Sequence, residues 1–503
     1  MGAEASTAAV GAEGAAASEL QAQVAAAKHP SWENQTRGAN APCARECIAV
    51  MGTASAGASE AMFVLAGRGA DAAYGDVAVY ETSARCWSAT APRGAPPAAR
   101  SGHTAVLVPG VGIIVQGGLS DETGFLADTA LLLLCGDGGL EWTPLSIAGE
   151  APCARDKHSS VLVPPASTDG PASGEAGAWR MVTFGGFGVL EGDDDDDDDD
   201  EEESDDAEEK ETAPEAGREL SLADKLRLKA AKSTAAKAEK RARGPALKLG
   251  WFDDAHQLQF YGPGSWSRIA AAQPATERPA GRAAHGACWL GGVAGAAGAA
   301  AQGACMLVFG GRTCEGRAND TWLFDVDSRR WREPSCAGRP PCARSFHSVT
   351  RLDSPGGVAM AAVFGGLDAS AKHLSDLYLL HSATLAWACV QTAPGPVPPP
   401  AGRGCAAVCA TAGGALLVFG GSSGWDEQQG GATVFYDDFH RIGLSELLAA
   451  AVDAPPAAEG AAPAHQPKEG DTENQAAAVL KKAKLGGGSP GGEVPTAEEA
   501  RGE

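Results

Sequence analysis

Tyrosine and methionine are scarce, at 5 and 6 residues in 503, and no stretch holds the roughly 20 large apolar residues of a membrane-crossing helix. The longest small-residue stretch, Gly291–Ala301, is Gly and Ala rather than large apolar residues, so a membrane protein is not expected. Positive charge is also short: 40 Lys and Arg against 64 Asp and Glu leave a net charge of −24. A phosphate backbone would be repelled by most of such a surface, which disfavours nucleic-acid binding. Paired CxxC spacing is missing, since Cys43/Cys47 and Cys405/Cys409 are too far apart in sequence, and neither metal nor cofactor is expected. The 13 cysteines are odd in number and scattered, unlike a secreted disulfide framework, and they fit a reducing cytoplasm or nucleus. Residues 1–28 have no basic flank followed by an apolar core, so they do not read as a secretory signal.

Tryptophan, by contrast, is regularly placed. Trp32, Trp87, Trp142, Trp266, Trp331 and Trp387 are separated by 55, 55, 124, 65 and 56 residues. A period near fifty with internal similarity indicates a repeat architecture. The fullest unit runs from Arg282 and His285, through Met306–Gly311 and Asn319–Phe324, to Trp331, so that short β-prone runs are separated by Gly-rich breaks. This pattern predicts one four-stranded sheet per unit.

Other marks keep the same phase. An arginine stands three residues before a histidine at Arg100/His103, Arg155/His158, Arg282/His285 and Arg344/His347, while Arg45 and Arg403 keep the arginine alone. Paired glycines close the second strand at Gly117-Gly118, Gly185-Gly186, Gly310-Gly311, Gly365-Gly366 and Gly420-Gly421, with Ala66-Gly67 in the first unit. Asp76, Asp128, Asp320 and Asp376 precede the third strand, and His256 and Ala432 stand at the corresponding places of the other two units. Glycine pairs permit positive φ and close backbone approach where a strand turns beside its neighbours. A tryptophan on the outermost strand can bury a broad face between adjacent sheets. Sheets of this kind cannot cover both faces alone, and radial stacking into a β-propeller solves the problem.

These residues together resemble the kelch-repeat family over about residues 30–445. The resemblance implies an all-β, six-bladed propeller whose blades run from inner to outer strand. The last unit shows strands near 404–409, 415–420 and 432–437, then Ile442 where a tryptophan is due. We therefore expect the segment around Trp32 to supply its fourth strand and close the ring. The domain reading is an N-terminal tail over 1–28, a propeller over 29–445, and a disordered tail over 446–503 rich in Ala, Pro, Gly and Glu.

The third unit carries an insert at 188–250 with two halves of opposite sign. Asp193–Asp200 and Glu201–Glu203 head an acidic run, and a basic, helix-prone segment follows from Ser221 with Lys225, Arg227, Lys229, Lys232, Lys237, Lys240, Arg241 and Arg243. The insert reads either as a solvated expansion of a tolerant loop or as a segment with a basic partner or a weak nuclear-import role. Strand topology brings Arg45, Arg68, Arg100, Arg155, Arg282, Arg312, Arg344 and Arg403 to one face, the face from which the insert emerges. These eight are the candidate partner-binding residues for an acidic ligand, which the acidic run would mask. The alternative is that the repeat arginines make structural contacts between blades.

Family resemblance implies a non-enzymatic scaffold that binds a protein or peptide through its loop-bearing rim, as a monomer. Some such propellers act as substrate receptors of ubiquitin ligases, and the roughly 30 residues before the first strand would leave that role to a separate adaptor. A catalytic or enzyme-accessory propeller is the other alternative. Copper radical oxidases of the galactose-oxidase type use tyrosine and histidine ligands, and here four of the five tyrosines, Tyr74, Tyr80, Tyr261, Tyr378 and Tyr436, lie on or close to third strands and read as sheet residues. The Glu-x-x-x-Asp-x-x-x-His iron motif of specifier proteins is absent. His103, His158, His285 and His347 sit at equivalent places in different blades, which favours a structural role.

Overall fold

In the computed structural model, residues 30 to 450 are described except 36–37, 39, 54–59, 89–90, 146, 166–178, 191–247, 261–263, 294–301, 355–356 and 425–432. The N-terminal tail, nearly all of the insert and the C-terminal tail therefore lie outside the described residues. Contacts divide the chain into two units, Met1–Gly188 with Trp251–Glu503, and Val189–Gly250. The first contains the blades.

Blade 1 is built from Glu46–Thr53, Glu60–Arg68, Ala73–Glu81 and Cys86–Ser88, each antiparallel to the next. Blade 2 uses Thr104–Val108, Gly112–Ser120, Gly124–Leu134 and Leu140–Thr143. Blade 3 uses Ser159–Val163, Arg180–Phe184, Ala255–Gln259 and Ser265–Ile269. Blade 4 follows with Gly286–Val293, Gln302–Thr313, Gly316–Asp325 and Arg330–Arg332, and blade 5 with Ser348–Asp353, Ala359–Asp368, His373–His381 and Ala386–Cys389. Blade 6 has Ala407–Ala410, Ala415–Phe419 and Phe439–Gly443, and its outer strand is Trp32–Asn34 from the other end of the chain, with Trp32 opposite Ile442. The expected third strand at 432–437 is corrected. Val434–Phe435 instead pairs with Ser422–Ser423 in a short ribbon, and the strand that carries the sheet begins at Phe439.

The sequence marks have one packing meaning. Four of the tryptophans lie against the aromatic residue that precedes the glycine pair in the previous blade. Trp331 meets Phe184 at 4.7 Å, Trp387 meets Phe309 at 5.1 Å, Trp87 meets Phe419 at 5.3 Å and Trp32 meets Phe364 at 5.8 Å. Trp32 thus does for blade 6 what Trp387 does for blade 5. Each buried tryptophan contributes on the order of 1.5–3 kcal/mol through area removed from water. First strands neighbour one another in blade order, and the first strand of blade 1 also neighbours that of blade 6. Blades 1 and 2 depart from the aromatic rule: Leu65 stands before Ala66-Gly67, and Gln116 fills the position before Gly117, fully buried, with no hydrogen-bond partner for either end of its amide among the described residues.

Backbone hydrogen bonds stitch the inner rim. The residue two places after five of the six repeat arginines takes positive φ, at Gly102, Lys157, Ala284, Phe346 and Cys405. In four of them the N–H donates to the equivalent carbonyl of the preceding blade, Lys157 to Gly102, Ala284 to Lys157, Phe346 to Ala284 and Cys405 to Phe346, at 2.7–2.9 Å. The histidine that follows reaches back across the same seam. His158 Nε2 lies 2.9 Å from the Thr104 hydroxyl, His285 Nε2 lies 2.7 Å from Ser159, and His347 Nε2 lies 3.1 Å from the Phe309 carbonyl oxygen. A Cβ on Gly185 would stand 2.9 Å from the His285 ring, so glycine there leaves room for the neighbour's imidazole.

Outer edges are covered in two ways. Parallel backbone segments lie on blades 3 and 5, where Ala148–Gly149 pairs with Ser265–Trp266 and Ala337–Gly338 with Ala386–Trp387. Blade 2 has a shorter version, an Arg93 to Glu141 bridge. In blade 4 a side chain imitates a strand: Trp331 N–H donates to Gln273 Oε1 at 2.8 Å, and Gln273 Nε2 donates to the Trp331 carbonyl at 2.5 Å. In blade 1, Asn40 Nδ2 donates to the Trp87 carbonyl at 3.3 Å. Edges already paired in this manner are poor templates for an added strand, which directs attention to the faces.

Candidate partner-binding site

Arg45, Arg100, Arg155, Arg282, Arg344 and Arg403 are 0–2% exposed, so the expectation of a cationic docking face is corrected for these six. Each guanidinium is consumed inside its own blade. Arg282 donates from Nη1 and Nη2 to Asp320 at 2.7 and 2.8 Å and from Nη1 to the Gly310 carbonyl at 2.9 Å. The same fork joins Arg100 to Asp128, Arg344 to Asp376 and Arg45 to Asp76. In blades 3 and 6 the partners are Asp254, 2.5 Å from Arg155, and Asp438, 2.5 Å from Arg403, which corrects the expected His256 and Ala432. The register is strict. Every such aspartate immediately precedes the cross-strand partner of the residue before the glycine pair: Thr321 opposite Phe309, Ala255 opposite Phe184, Phe439 opposite Phe419. Aromatic faces complete several of these pockets, with Arg155 3.8 Å over Phe252, Arg403 4.0 Å over Tyr436 and Arg45 4.1 Å over Tyr74.

The ionisation behaviour follows from this packing. Burial opposes the charge on Asp254 and Asp320, but the arginine hydrogen bonds and charge outweigh it and hold both carboxyls below their ordinary value. Burial, reinforced by Arg100 and Arg344, pushes His103 and His347 down to about 3. His158 and His285 are pushed well below their ordinary value by burial and by Arg155 and Arg282. The phased histidines are therefore neutral spacers between blades. Among the described residues, no group of three or more His, Cys, Asp or Glu side chains is gathered as a metal site.

Two of the eight arginines, Arg68 and Arg312, are only half-buried, and they share a register position just after the second-strand glycines. Their surroundings differ. Arg68 forms an ion pair with Asp121 of blade 2, whose other carboxylate oxygen accepts the Ala73 N–H at 2.9 Å. Arg312 faces Arg317 directly across the strand pair of blade 4. Among the described residues, neither Arg312 nor Arg317 has a carboxylate within ion-pair distance. Arg317 Nε donates to the buried Ser345 hydroxyl of blade 5 at 2.9 Å. Burial and then the charge of Arg312 pull the proton affinity of Arg317 below its ordinary value, against the opposing charge of Asp368, which lies beyond ion-pair distance. Like charges opposite one another on a strand pair are destabilising, so this is a place where stability is given up.

The missing counter-charge can be located. Ser101 pairs with Leu119 in blade 2 as Ser345 pairs with Leu367 in blade 5, which puts Ala369 where blade 2 has Asp121. Arg317 carries no repeat mark, and sequence reasoning does not single it out; the signal that could have found it is the arginine spacing across the Thr313–Gly316 turn.

The kelch-repeats domain described as KLHDC2/KLHL20/DRC7 matches residues 14–168 and 251–448. The chain belongs to the kelch-repeat family. The propeller is 30% identical over 135 residues to the Rab9 effector protein with kelch motifs of Bos taurus, covering 26% of this chain and 32% of that one. It is 33% identical over 89 residues to kelch domain-containing protein 3 of Homo sapiens, covering 17% and 22%. It is 33% identical over 117 residues to Adagio-like protein 3 of Oryza sativa subsp. japonica, covering 23% and 15%. The matched stretches thus span at most about a third of these relatives. Kelch-repeat domains are in general protein-interaction modules without catalytic activity, and no helix among the described residues of this one is long and apolar enough to cross a membrane.

Proposed function

We propose that this kelch propeller is a non-enzymatic scaffold that takes a carboxylate-bearing peptide or protein segment at the seam between blades 4 and 5. The supporting observation is the Arg312 and Arg317 pair, which has no carboxylate at ion-pair distance among the described residues, while the other seven of the eight candidate arginines each have one. Planar guanidinium forks suit a carboxylate through two parallel hydrogen bonds, and Arg keeps its charge when half-buried. The Ser345 hydroxyl fixes Arg317 through Nε, which leaves its two terminal nitrogens free of that contact. An anion here would relieve the mutual repulsion of the pair, so binding and local stability favour the same state.

The test uses a degenerate dodecapeptide library with free carboxyl termini, a C-terminally amidated library and a library without Asp or Glu, each measured by fluorescence anisotropy. The expected result is binding that falls about tenfold or more in R312Q or R317Q, equivalent to losing a charged hydrogen-bond partner of about 1.4 kcal/mol or more. The amidated and acid-free arms tell a terminal carboxylate from a side-chain one. Equal binding by wild type and both variants would contradict the proposal.

A further inference from the structure

One titratable side chain faces the arginine pair from the other side of the seam. Ser345 pairs with Leu367, and Leu367 pairs with His373, so the three form a row across blade 5. Directly paired residues point to the same face of a sheet. Ser345 receives the Arg317 hydrogen bond from blade 4, so the half-buried His373 side chain also stands on the face turned toward blade 4. Arg312 shares the face of Arg317 for the same reason. The seam thus presents two permanent cations from one blade and a hydroxyl and an imidazole from the next.

The other charged groups around His373 are accounted for. Asp368 lies on its own hairpin and is held by the Ser370 N–H, the Ser370 hydroxyl and the Lys372 N–H at 2.7–2.9 Å. Lys372 precedes it in the chain and is exposed. From blade 6, the 402–403 segment packs against the backbone, and the Arg403 guanidinium is committed to Asp438. Burial and then the charge of Arg317 hold His373 below its ordinary value, against the opposing charge of Asp368.

We propose that His373 is the proton-linked member of the carboxylate site: it takes up a proton when an anion occupies Arg312 and Arg317, so binding strengthens on acidification. The inference rests on the carboxylate reading of that seam. The sign follows from linkage. An anion beside the imidazole favours its charged form, and protonation must then favour the anion by the same factor. Peptide carboxylates stay ionised down to about pH 4 and arginine stays charged throughout, so neither cancels the effect between pH 7.5 and 5.5. The buried histidines His103, His158, His285 and His347 stay neutral in this window because burial holds them far below it.

Two measurements test the proposal. In the full-length protein, the ring resonances of His373 are titrated by NMR with and without R317M; the variant is expected to raise the midpoint, and an unmoved midpoint would overturn the proposed contact. Affinity for the free-carboxyl library is then compared at pH 7.5 and 5.5. Wild type is expected to gain about threefold or more at the lower pH, because an anion that makes the imidazole about tenfold more basic is itself bound up to about tenfold more tightly by the protonated site. H373N should bind at both pH values without that gain. Equal wild-type affinity at both would overturn the proton linkage and leave the carboxylate site standing. Absence of binding at both pH values would overturn the site itself and the linkage with it.

Discussion

The seams between blades 1 and 2 and between blades 4 and 5 start from the same backbone register and end differently. In the first, Arg68 is answered by Asp121 from the adjoining turn. In the second, Arg312 is answered by a second arginine, and Ala369 occupies the place of the carboxylate. A propeller repeats its local geometry, so a difference at one register position between blades isolates what side chains alone contribute. One seam answers its arginine with a carboxylate, and the other sets two arginines against each other with no carboxylate at ion-pair distance among the described residues.

The comparison breaks most severely if the arginines are exchanged in role. R282M removes one member of a buried pair and leaves Asp320 facing an apolar side chain. A loss of about 3–5 kcal/mol is expected in denaturant unfolding, whereas R317M, at the half-buried seam, should leave the midpoint unchanged or slightly raised. Trp32→Ala should cost about 3–5 kcal/mol by emptying the space against Phe364. Deleting residues 1–38 should lower the melting temperature at least as far, because blade 6 then loses its outer strand. A transition unaffected by that deletion would contradict the role given to the N-terminal strand.

Acid should weaken both seams through the frame they share. His103 and His347 have folded values near 3 against about 6.5 in an unfolded chain, so below about pH 6.5 the unfolded state binds more protons. Stability is then complete above that value and declines as pH falls toward 3. The depressed carboxyls of Asp254 and Asp320 contribute stability that is present above about pH 4 and is lost as pH falls through their lower folded values. Thermal midpoints at pH 8, 6 and 4 should be highest at the first and lowest at the last. A smaller effect of opposite sign is expected at the seam between blades 2 and 3, where Gln116→Phe restores the aromatic found in blades 3 to 6. It should raise stability by about 1 kcal/mol, since a buried amide without partners costs about that much.

Much of the fold was legible because its marks are geometric requirements. Paired glycines are needed where positive φ and a neighbouring imidazole coincide, as at Gly185, and tryptophan is needed where one blade must cover the next. Trp32 could be assigned to blade 6 because strands must be counted in fours. The site was less legible. Arginine looks the same in sequence whether it is buried against an aspartate or open to solvent, and the phase that made Arg282 conspicuous also made it structural. The aspartates carried the missing signal, since one opposite charge per arginine at fixed register points to a clamp. Asp254 and Asp438 escaped because each stands outside a shortened third strand, next to segments that disturb the count. Arg317 and His373 escaped because their meaning lies in cross-strand and cross-blade pairing rather than in spacing along the chain.

The most direct test is to install the missing carboxylate. A369D gives the seam between blades 4 and 5 the counter-ion that Asp121 supplies between blades 1 and 2, while leaving Arg312, Arg317 and Ser345 in place. Affinity of the full-length variant for the free-carboxyl library is measured beside wild type by fluorescence anisotropy, with the melting temperature as the check on folding. A fall of about fivefold or more is expected at low salt, on the order of the 1 kcal/mol that a single ion pair can supply, with no loss of melting temperature. Undiminished binding by a correctly folded A369D would show that the arginine pair is not where the carboxylate sits.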